Sequence, residues 1–412
     1  MSPPAGVASA RRTALPAHLA ALFLALLLGL QPVTTDLYLP ALPSLARELA
    51  APMPRVQLTM AALMLSFGIA QLAWGPIADR FGRRPALLWG LGLYLVATAG
   101  AALAGHIGLL IAWRVLQGVA LAAAVVCARA MVRDLYEPHE GAHVLSRGLS
   151  GLGLIAVCCP AAGGLVANWL GWRGTFALIG LVGAAVLVLV WRRLPETLAR
   201  RHPSSTGAAI PAATWWGILR HPVFISWTAL TAATYGGLFT LLSASSFAYI
   251  EVLGLKPATF GLVLGSASLC YVAGTVVCRR WLLRYGMTGS VARGAFFTCA
   301  GGLSMAALAM AGVQSVWALL VPQWMYCFGH GLHQPCGQAA AIGPFPHAAG
   351  AAAALAGCVL ALVAFLVGRW LGASMDGTVR PMALCVAFWS VVTSAIAWTV
   401  VQRHGAARAV AA

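Results

Sequence analysis

The sequence predicts an all-α integral membrane protein of twelve transmembrane helices arranged as two six-helix halves. Three observations lead there. Of 412 residues, 61% are hydrophobic and only 8% charged, against roughly 25% charged in soluble domains. The apolar runs repeatedly reach the ~20 residues that a helix needs to cross hydrocarbon. Between two such runs lies the segment Gly75 to Arg84 (GPIADRFGRR), whose ionic groups Asp79, Arg80, Arg83 and Arg84 cannot enter hydrocarbon cheaply, so the chain must surface there.

In chain order the apolar runs place spans at Leu19 to Leu39, Val56 to Ala78, Pro85 to Leu103, Leu109 to Met131, Leu149 to Trp169 and Phe176 to Val190. A second set follows at Val223 to Ser245, Thr259 to Val277, Arg293 to Ala311, Val316 to Ala339, Gly350 to Leu371 and Met382 to Val401. The segment Arg192 to Trp216, rich in Pro, Ser, Arg and His, breaks the hydrophobic rhythm and reads as a linker. The halves are thus residues 1–191 and 217–412, joined by 192–216. Arg11 and Arg12 before Leu19 resemble the start of a signal peptide, but the apolar run continues through Pro32 to Asp36 into a full span, which predicts an uncleaved anchor.

The net charge of +17 would suggest nucleic acid in a soluble protein; here its distribution decides. With the amino terminus inside, nineteen arginines fall on inner segments, while Arg47, Arg55, Arg173, Lys256, Arg369 and Arg380 fall outside and Arg114 lies within a span. That bias predicts both termini in the cytoplasm and no nucleic-acid partner. The ten Cys are scattered through apolar runs without a CxxC pair, so they read as small hydrophobes and not as disulfides.

The turn at Gly75, Asp79, Arg80, Gly82, Arg83 and Arg84 resembles the signature of the major facilitator superfamily between its second and third helices. Thr34 to Leu49 and Arg114 to Gly118 (RVLQG) look like the Asp and Arg motifs of drug:proton antiporters. Cys159 to Leu165 (CPAAGGL) resembles their fifth-helix motif, with Cys159 in place of its usual Gly. Pro344 to Gly357, Trp172 with Arg173, and Pro195 to Thr197 are similar to the Bcr/CflA-type multidrug exporters. In the second half Gly274, Arg279, Arg280, Arg284 and Gly286 echo the first turn, with Cys278 where Asp79 would be. The resemblance implies the major facilitator fold, a bacterial inner-membrane location, antibiotic resistance by proton-coupled efflux, and a substrate cavity between the halves. It implies that Pro160, Gly163 and Gly164 form a hinge against proton leak, where plain packing serves equally well.

Charges inside spans are costly, roughly 2.5 to 3.5 kcal/mol each on insertion scales, and so point to function. Arg114 lies about five residues into its span and Asp36 about three from the end of its own, at similar depth by a ~1.5 Å rise per residue. Arg cannot release its proton at usable pH. Asp36 is therefore the expected proton carrier, Arg114 its organiser, and the two a coupling pair; snorkelling and a static ion pair are the bland alternatives. In span ten Gln323, Tyr326, His330, His333 and Gln334 share one stripe, open to hydrogen bonding within the protein or to substrate and proton contact. Cys327, His330, His333 and Cys336 would spread over half a helix circumference, which argues against a metal. Tyr38, Gln117, Tyr235, Phe239, His330, His333 and Gln334 are the candidates to line the substrate cavity. Gly75 and Gly82 beside the ionic turn suggest close backbone approach, and Asp79, Arg80 and Arg83 a cytoplasmic latch that links helices of the two halves.

The only Lys, Lys256, is followed by Pro257, so no phosphate-binding Walker loop exists and ATP is not the energy source. No His-box or paired carboxylates mark an enzyme. The expected function is proton-driven efflux of drugs or other small organic molecules by a monomer without cofactor or metal, its partners being substrates, protons and the lipid bilayer. A proton-coupled transporter of a sugar or metabolite is the alternative, and a membrane enzyme a remote one.

Overall fold

The computed structural model describes residues 16–136, 138–198 and 212–405. The described chain is helical throughout. It begins with α1 (Ala17–Asp36), a 3-10 turn at Leu39–Ala41, α2 (Leu42–Glu48), α3 (Met53–Phe81), α4 (Arg83–Ala102), α5 (Ile107–Leu135) and α6 (Pro138–Arg193). It continues with α7 (Ala212–Arg220), α8 (Pro222–Ser246), a π-helical turn at Phe247–Val252, α9 (Pro257–Met310), α10 (Val316–Ile342), α11 (Ala349–Ser374), α12 (Arg380–Trp398) and α13 (Val400–His404).

Among the described residues eight helical stretches are long and apolar enough to cross a membrane. Two of them cannot be single crossings. α6 has 56 residues and α9 has 54, which at ~1.5 Å per residue would exceed twice the ~30 Å hydrocarbon layer. Each folds back at one glycine, Gly171 (φ 64°) and Gly286 (φ 66°), in the positive-φ region where only glycine is unstrained. α8 and α10, with 25 and 27 residues, are also of spanning length but carry buried polar groups such as Thr231, Thr234, Gln323 and His330. Counting each broken run as two arms and adding α8 and α10 gives twelve segments.

Several helices outrun their apolar runs. α5 continues past Met131 to Leu135, α6 starts at Pro138 well before Leu149, and the first arm of α9 passes Val277 to reach the Gly286 turn. A helix satisfies its own backbone in lipid or in water alike, so hydropathy marks the hydrocarbon layer and not the helix ends. The opposite correction applies to the first span: α1 stops at Asp36 and not at Leu39. Pro40 and Pro43 cannot donate backbone hydrogen bonds, and the chain turns through Leu39–Ala41 into the separate α2. Within the expected linker 192–216, residues 212–216 are the start of the short helix α7. Arg11, Arg12, Arg200, Arg201 and Arg408 lie outside the described residues.

The two halves meet along two seams. In one, α3 packs against α11: a Cβ at Gly372 would sit 2.9 Å from Pro54, one at Gly368 2.7 Å from Ala61, and Gly68 lies directly on Ala361. In the other, the first arm of α6 packs against the first arm of α9, with Gly164 on the Pro257 carbonyl and Gly261 on the Pro160 carbonyl. The α6–α9 seam is backbone against backbone and the α3–α11 seam sets glycines on alanine methyls and on the Pro54 backbone, the close approach that small residues permit between membrane helices.

Candidate functional site

The last turn of α1 leaves carbonyls without intrahelical donors, and Arg114 of α5 uses one. Its guanidinium is fully buried and donates through Nη1 to the Thr34 carbonyl at 3.3 Å and to Gln117 Oε1 at 2.8 Å. Nη2 meets Met60 Sδ at 3.2 Å, and the charge lies 4.5 Å from the ring centre of Tyr38 and 5.6 Å from that of Phe176. A cation placed against a helix C-terminus and two π faces is stabilised without a carboxylate.

Around it the polar groups close on one another. Gln117 Nε2 donates to Thr98 Oγ1 at 2.7 Å, the Thr34 and Tyr94 hydroxyls are 2.6 Å apart, and the Tyr38 hydroxyl is 2.9 Å from that of Thr59. All of this network belongs to the N-terminal half. Tyr38 and Gln117 are fully buried within it, so in this conformation they support Arg114 and do not line a cavity.

Asp36 stands apart from that network. It is half-buried, takes a 2.7 Å hydrogen bond from Thr35 Oγ1, and lies within electrostatic reach of Cys159 on α6 and of Tyr235 on α8. No described ion pair joins it to Arg114. The two are neighbours through the Thr34 carbonyl, two residues before Asp36, but the expected direct pair is not made here. The guanidinium is already occupied by a carbonyl, an amide and two rings, while the carboxylate is bonded to Thr35. Tyr235 is half-buried and its hydroxyl meets Met64 Sδ of the N-terminal half at 3.5 Å. Of the expected cavity residues, Tyr235 and Phe239 are found at the junction, Phe239 buried against Gly368 of the α3–α11 seam.

Pro160, Gly163 and Gly164 lie on the α6 seam. Gly163 backs onto the Leu37 backbone just after Asp36, and Gly164 faces Pro257 across the halves. The motif therefore holds the end of α1 on one side and the opposite half on the other.

In α10 the polar stripe points into the C-terminal half. Gln323 accepts from the Tyr249 hydroxyl at 2.9 Å, the Tyr326 hydroxyl donates to the Thr234 carbonyl at 2.8 Å, and His330 Nδ1 is 3.0 Å from Thr234 Oγ1. His333 Nε2 is 3.1 Å from the Val291 carbonyl while its Nδ1 has no partner; Gln334 is half-buried with Oε1 unpartnered. Cys336 meets not a histidine but Cys278, the sulfurs 3.4 Å apart. No three His, Cys, Asp or Glu side chains among the described residues are grouped to hold a metal ion.

The ionic turn between α3 and α4 forms a network, though not the one expected. Asp79 pairs with Arg83 at 2.5 Å, and Arg83 Nε donates to Asp134 on α5 at 2.8 Å. The backbone amides of Arg83 and Arg84, at the N-terminus of α4, donate to the Glu196 carboxylate at 2.9 and 3.2 Å. Arg84 also reaches the Trp191 carbonyl at 2.8 Å. These partners belong to the first six spans or to the chain immediately after them, so the contacts of Asp79, Arg83 and Arg84 tie the N-terminal half together and do not bridge the halves. Gly82 is required, with φ 105° and the Glu196 carboxylate 2.5 Å from where a Cβ would be; Gly75 faces open space and permits no close approach. Glu196→Gln should weaken this anchoring and shift the relative accessibility of cysteine probes on the two faces by about two- to tenfold. An unchanged accessibility ratio would contradict that role.

Sequence reasoning also missed the opposite face. There Arg47 on α2 is ion-paired with Glu251 in the turn after α8, and Gln57 Nε2 donates to the Ser243 carbonyl at 2.7 Å, both across the halves. Nearby, Glu48 pairs with Arg173 and accepts from Trp172 Nε1 at 2.8 Å. The only hint was the sign of Arg47 and Glu251 at matched loop positions. Arg47→Glu should raise accessibility from the Glu251 face about two- to fivefold, the worth of an exposed pair, and adding Glu251→Arg should restore it. A double variant as open as the single one would remove the pair's gating role.

The Major Facilitator Superfamily model matches residues 22–368. The chain is 30% identical to the chloramphenicol resistance protein of Pseudomonas aeruginosa over 79% of this chain and 76% of that one. It is 30% identical to multidrug resistance protein D of Escherichia coli strain K12, over 82% and 84% of the two chains. Among solved structures, a D-xylose-proton symporter superposes with TM-score 0.74 at 17% identity, over 92% of this chain and 97% of that one. An inward-facing, occupied bacterial homologue of the lysosomal transporter Spinster gives 0.73 at 14%, over 94% and 97%. Two halves joined along glycine seams, a buried arginine and a carboxylate at the junction thus stand on a matched fold and a matched sequence: the chain is a multi-pass membrane transporter of the major facilitator superfamily.

Proposed function

We propose that this transporter exports drugs or related small organic molecules in exchange for protons, across the inner membrane of a bacterium, as a monomer with both termini and the Gly75–Arg84 turn on the cytoplasmic side. One observation carries the reading. Asp36 is the described carboxylate set between the halves without a cationic partner; Asp79, Asp134 and Glu196 are held in the turn network, Glu48 and Glu251 in opposite-face ion pairs, Asp376 in a loop with Thr378, and Glu140 is exposed. A carboxylate in that place can bind a proton or a cationic or polar substrate, but not both at full strength.

Ionised Asp36 holds substrate arriving from the cytoplasm against Tyr235. A proton from the opposite side removes the attraction, releases the substrate and biases the access equilibrium differently in the two protonation states, as any coupled cycle requires. Arg114 does not carry the proton; it fixes the end of α1 through the Thr34 carbonyl and adds a fixed positive field behind the carboxylate. One proton crossing 100 mV supplies roughly 2.3 kcal/mol, enough for about a fifty-fold gradient of a neutral solute.

Accumulation of a labelled drug panel in inverted vesicles, with and without a pH gradient, tests the reading. Uptake that collapses with a protonophore supports it. No uptake of any panel compound, together with gradient-driven uptake of a sugar or metabolite in right-side-out vesicles, would overturn it.

A further inference from the structure

The Gly82 turn between α3 and α4 and the Gly286 turn inside α9 occupy the same place in the two halves, and both stand at positive φ. Their charges are settled in different ways. Around Gly82 the carboxylates of Asp79, Asp134 and Glu196 surround Arg83 and the start of α4. Around Gly286 stand Arg279, Arg280, Arg284 and Arg293, and the second half supplies no acid of its own to meet them: after Glu196 the sequence holds only Glu251 and Asp376. Glu251 is committed to Arg47 at the other face, and Asp376 lies in the α11–α12 loop with Thr378.

Instead, the arginines use a ring and a carbonyl. The Arg293 and Arg284 guanidinium carbons lie 3.5 and 5.2 Å from the Tyr285 ring centre, and Arg293 Nη1 donates to the Gly289 carbonyl at 3.0 Å. Trp281 stands edge-on to Tyr285 at 6.2 Å. Arg279, Arg280 and Arg284 are exposed, and beside them project Leu283 and Met287, 93% and 45% exposed.

We propose that this turn docks anionic phospholipid, the phosphate taken by Arg279, Arg280 and Arg284 and the acyl region by Leu283, Met287 and the Trp281–Tyr285 edge. Arginine forks match phosphate oxygens in pairs. Trp and Tyr favour the depth at which headgroup meets hydrocarbon. The missing counter-charge is thus supplied by the membrane in one half where protein carboxylates supply it in the other. The inference rests on the membrane placement of α9 and not on what is exported.

The test uses the full chain in phosphatidylcholine nanodiscs titrated with phosphatidylglycerol, following the thermal midpoint and counting retained lipid by native mass spectrometry. Phosphatidylglycerol should raise the midpoint and be retained in preference to phosphatidylcholine. With each surface arginine worth about fivefold in binding, Arg279→Gln/Arg280→Gln/Arg284→Gln should weaken the response about a hundredfold. Arg284→Gln alone, which removes one exposed charge and keeps the fold, should weaken it about fivefold. Arg192→Gln/Arg193→Gln, with a comparable loss of charge at the end of α6, should respond as wild type. Wild-type affinity in the Gln variants of the α9 turn would overturn the proposal. So would an equal midpoint shift from inorganic phosphate alone, which would make the turn a site for free anions.

Discussion

On the proposed cycle, Asp36→Asn should abolish pH-driven uphill export while downhill exchange of the same drug persists. Asn is nearly isosteric, keeps the contact with Thr35 Oγ1 and removes both the charge and the proton-accepting site. The end of α1, fixed by the Thr34 carbonyl on Arg114 and by the Leu37 backbone on Gly163, does not depend on the carboxylate, so the fold should survive. In inverted vesicles the expected result is loss of gradient-driven accumulation to background, with counterflow of preloaded drug within a few-fold of wild type. The sign with pH follows from the exchange: in wild type, acidifying the side that receives the drug speeds release by protonating Asp36, and in the variant release becomes independent of pH on that side. Full drug-to-proton coupling in Asp36→Asn would move the carrier to His330 and His333, the other buried titratable groups on the polar stripe of α10.

Arg114→Ala is expected to cost stability as well as transport, and Arg114→Lys to separate the two. Alanine leaves the Thr34 carbonyl and Gln117 Oε1 without donors inside a fully buried site. Each orphaned group costs roughly 1–3 kcal/mol, and the cavity between Tyr38, Met60 and Phe176 adds to it. Lysine restores a charge and the donors of one nitrogen, as Nη1 supplies to carbonyl and amide, but not the planar guanidinium that also meets Met60 Sδ through Nη2 and faces Tyr38 and Phe176. The thermal midpoint of Arg114→Lys should therefore lie between those of wild type and Arg114→Ala, while its drug-induced proton release shifts along the pH axis, because the field behind Asp36 has moved. Unchanged pH dependence in a folded Arg114→Lys protein would show that Arg114 is merely a strut.

The helices, their approximate order and the ionic turn were legible in the sequence, because hydrocarbon imposes a length and an apolar composition on every crossing. Helix ends were not. The turn from α1 into α2 and the long approach of α6 depend on backbone pairing, to which hydropathy is blind. Asp36 and Arg114 were singled out in the sequence by the cost of burying charge, yet their separation was not legible. A helix carbonyl and two aromatic faces can satisfy a guanidinium as well as a carboxylate can, and residue spacing does not reveal which is chosen. Glu196 and Asp134 were invisible as partners of the Gly82 turn for a related reason: they lie 114 and 52 positions away along the chain. Gly75 misled in the other direction, since a glycine beside charges suggests close approach and this one has none.

The glycine seams between the halves carry one more consequence. Interlocking side chains must climb over one another when two helices move, and each such step adds friction. Gly68 on Ala361, Gly164 on Pro257 and Gly261 on Pro160 present nearly smooth surfaces instead, so the halves can rock as on bearings. Turnover should then be governed by the polar catches that join Arg47 to Glu251 and Gln57 to Ser243 and not by the seams, and one added methyl group at Gly164 should act as grit, slowing the cycle without touching the affinity of the empty protein for its cargo.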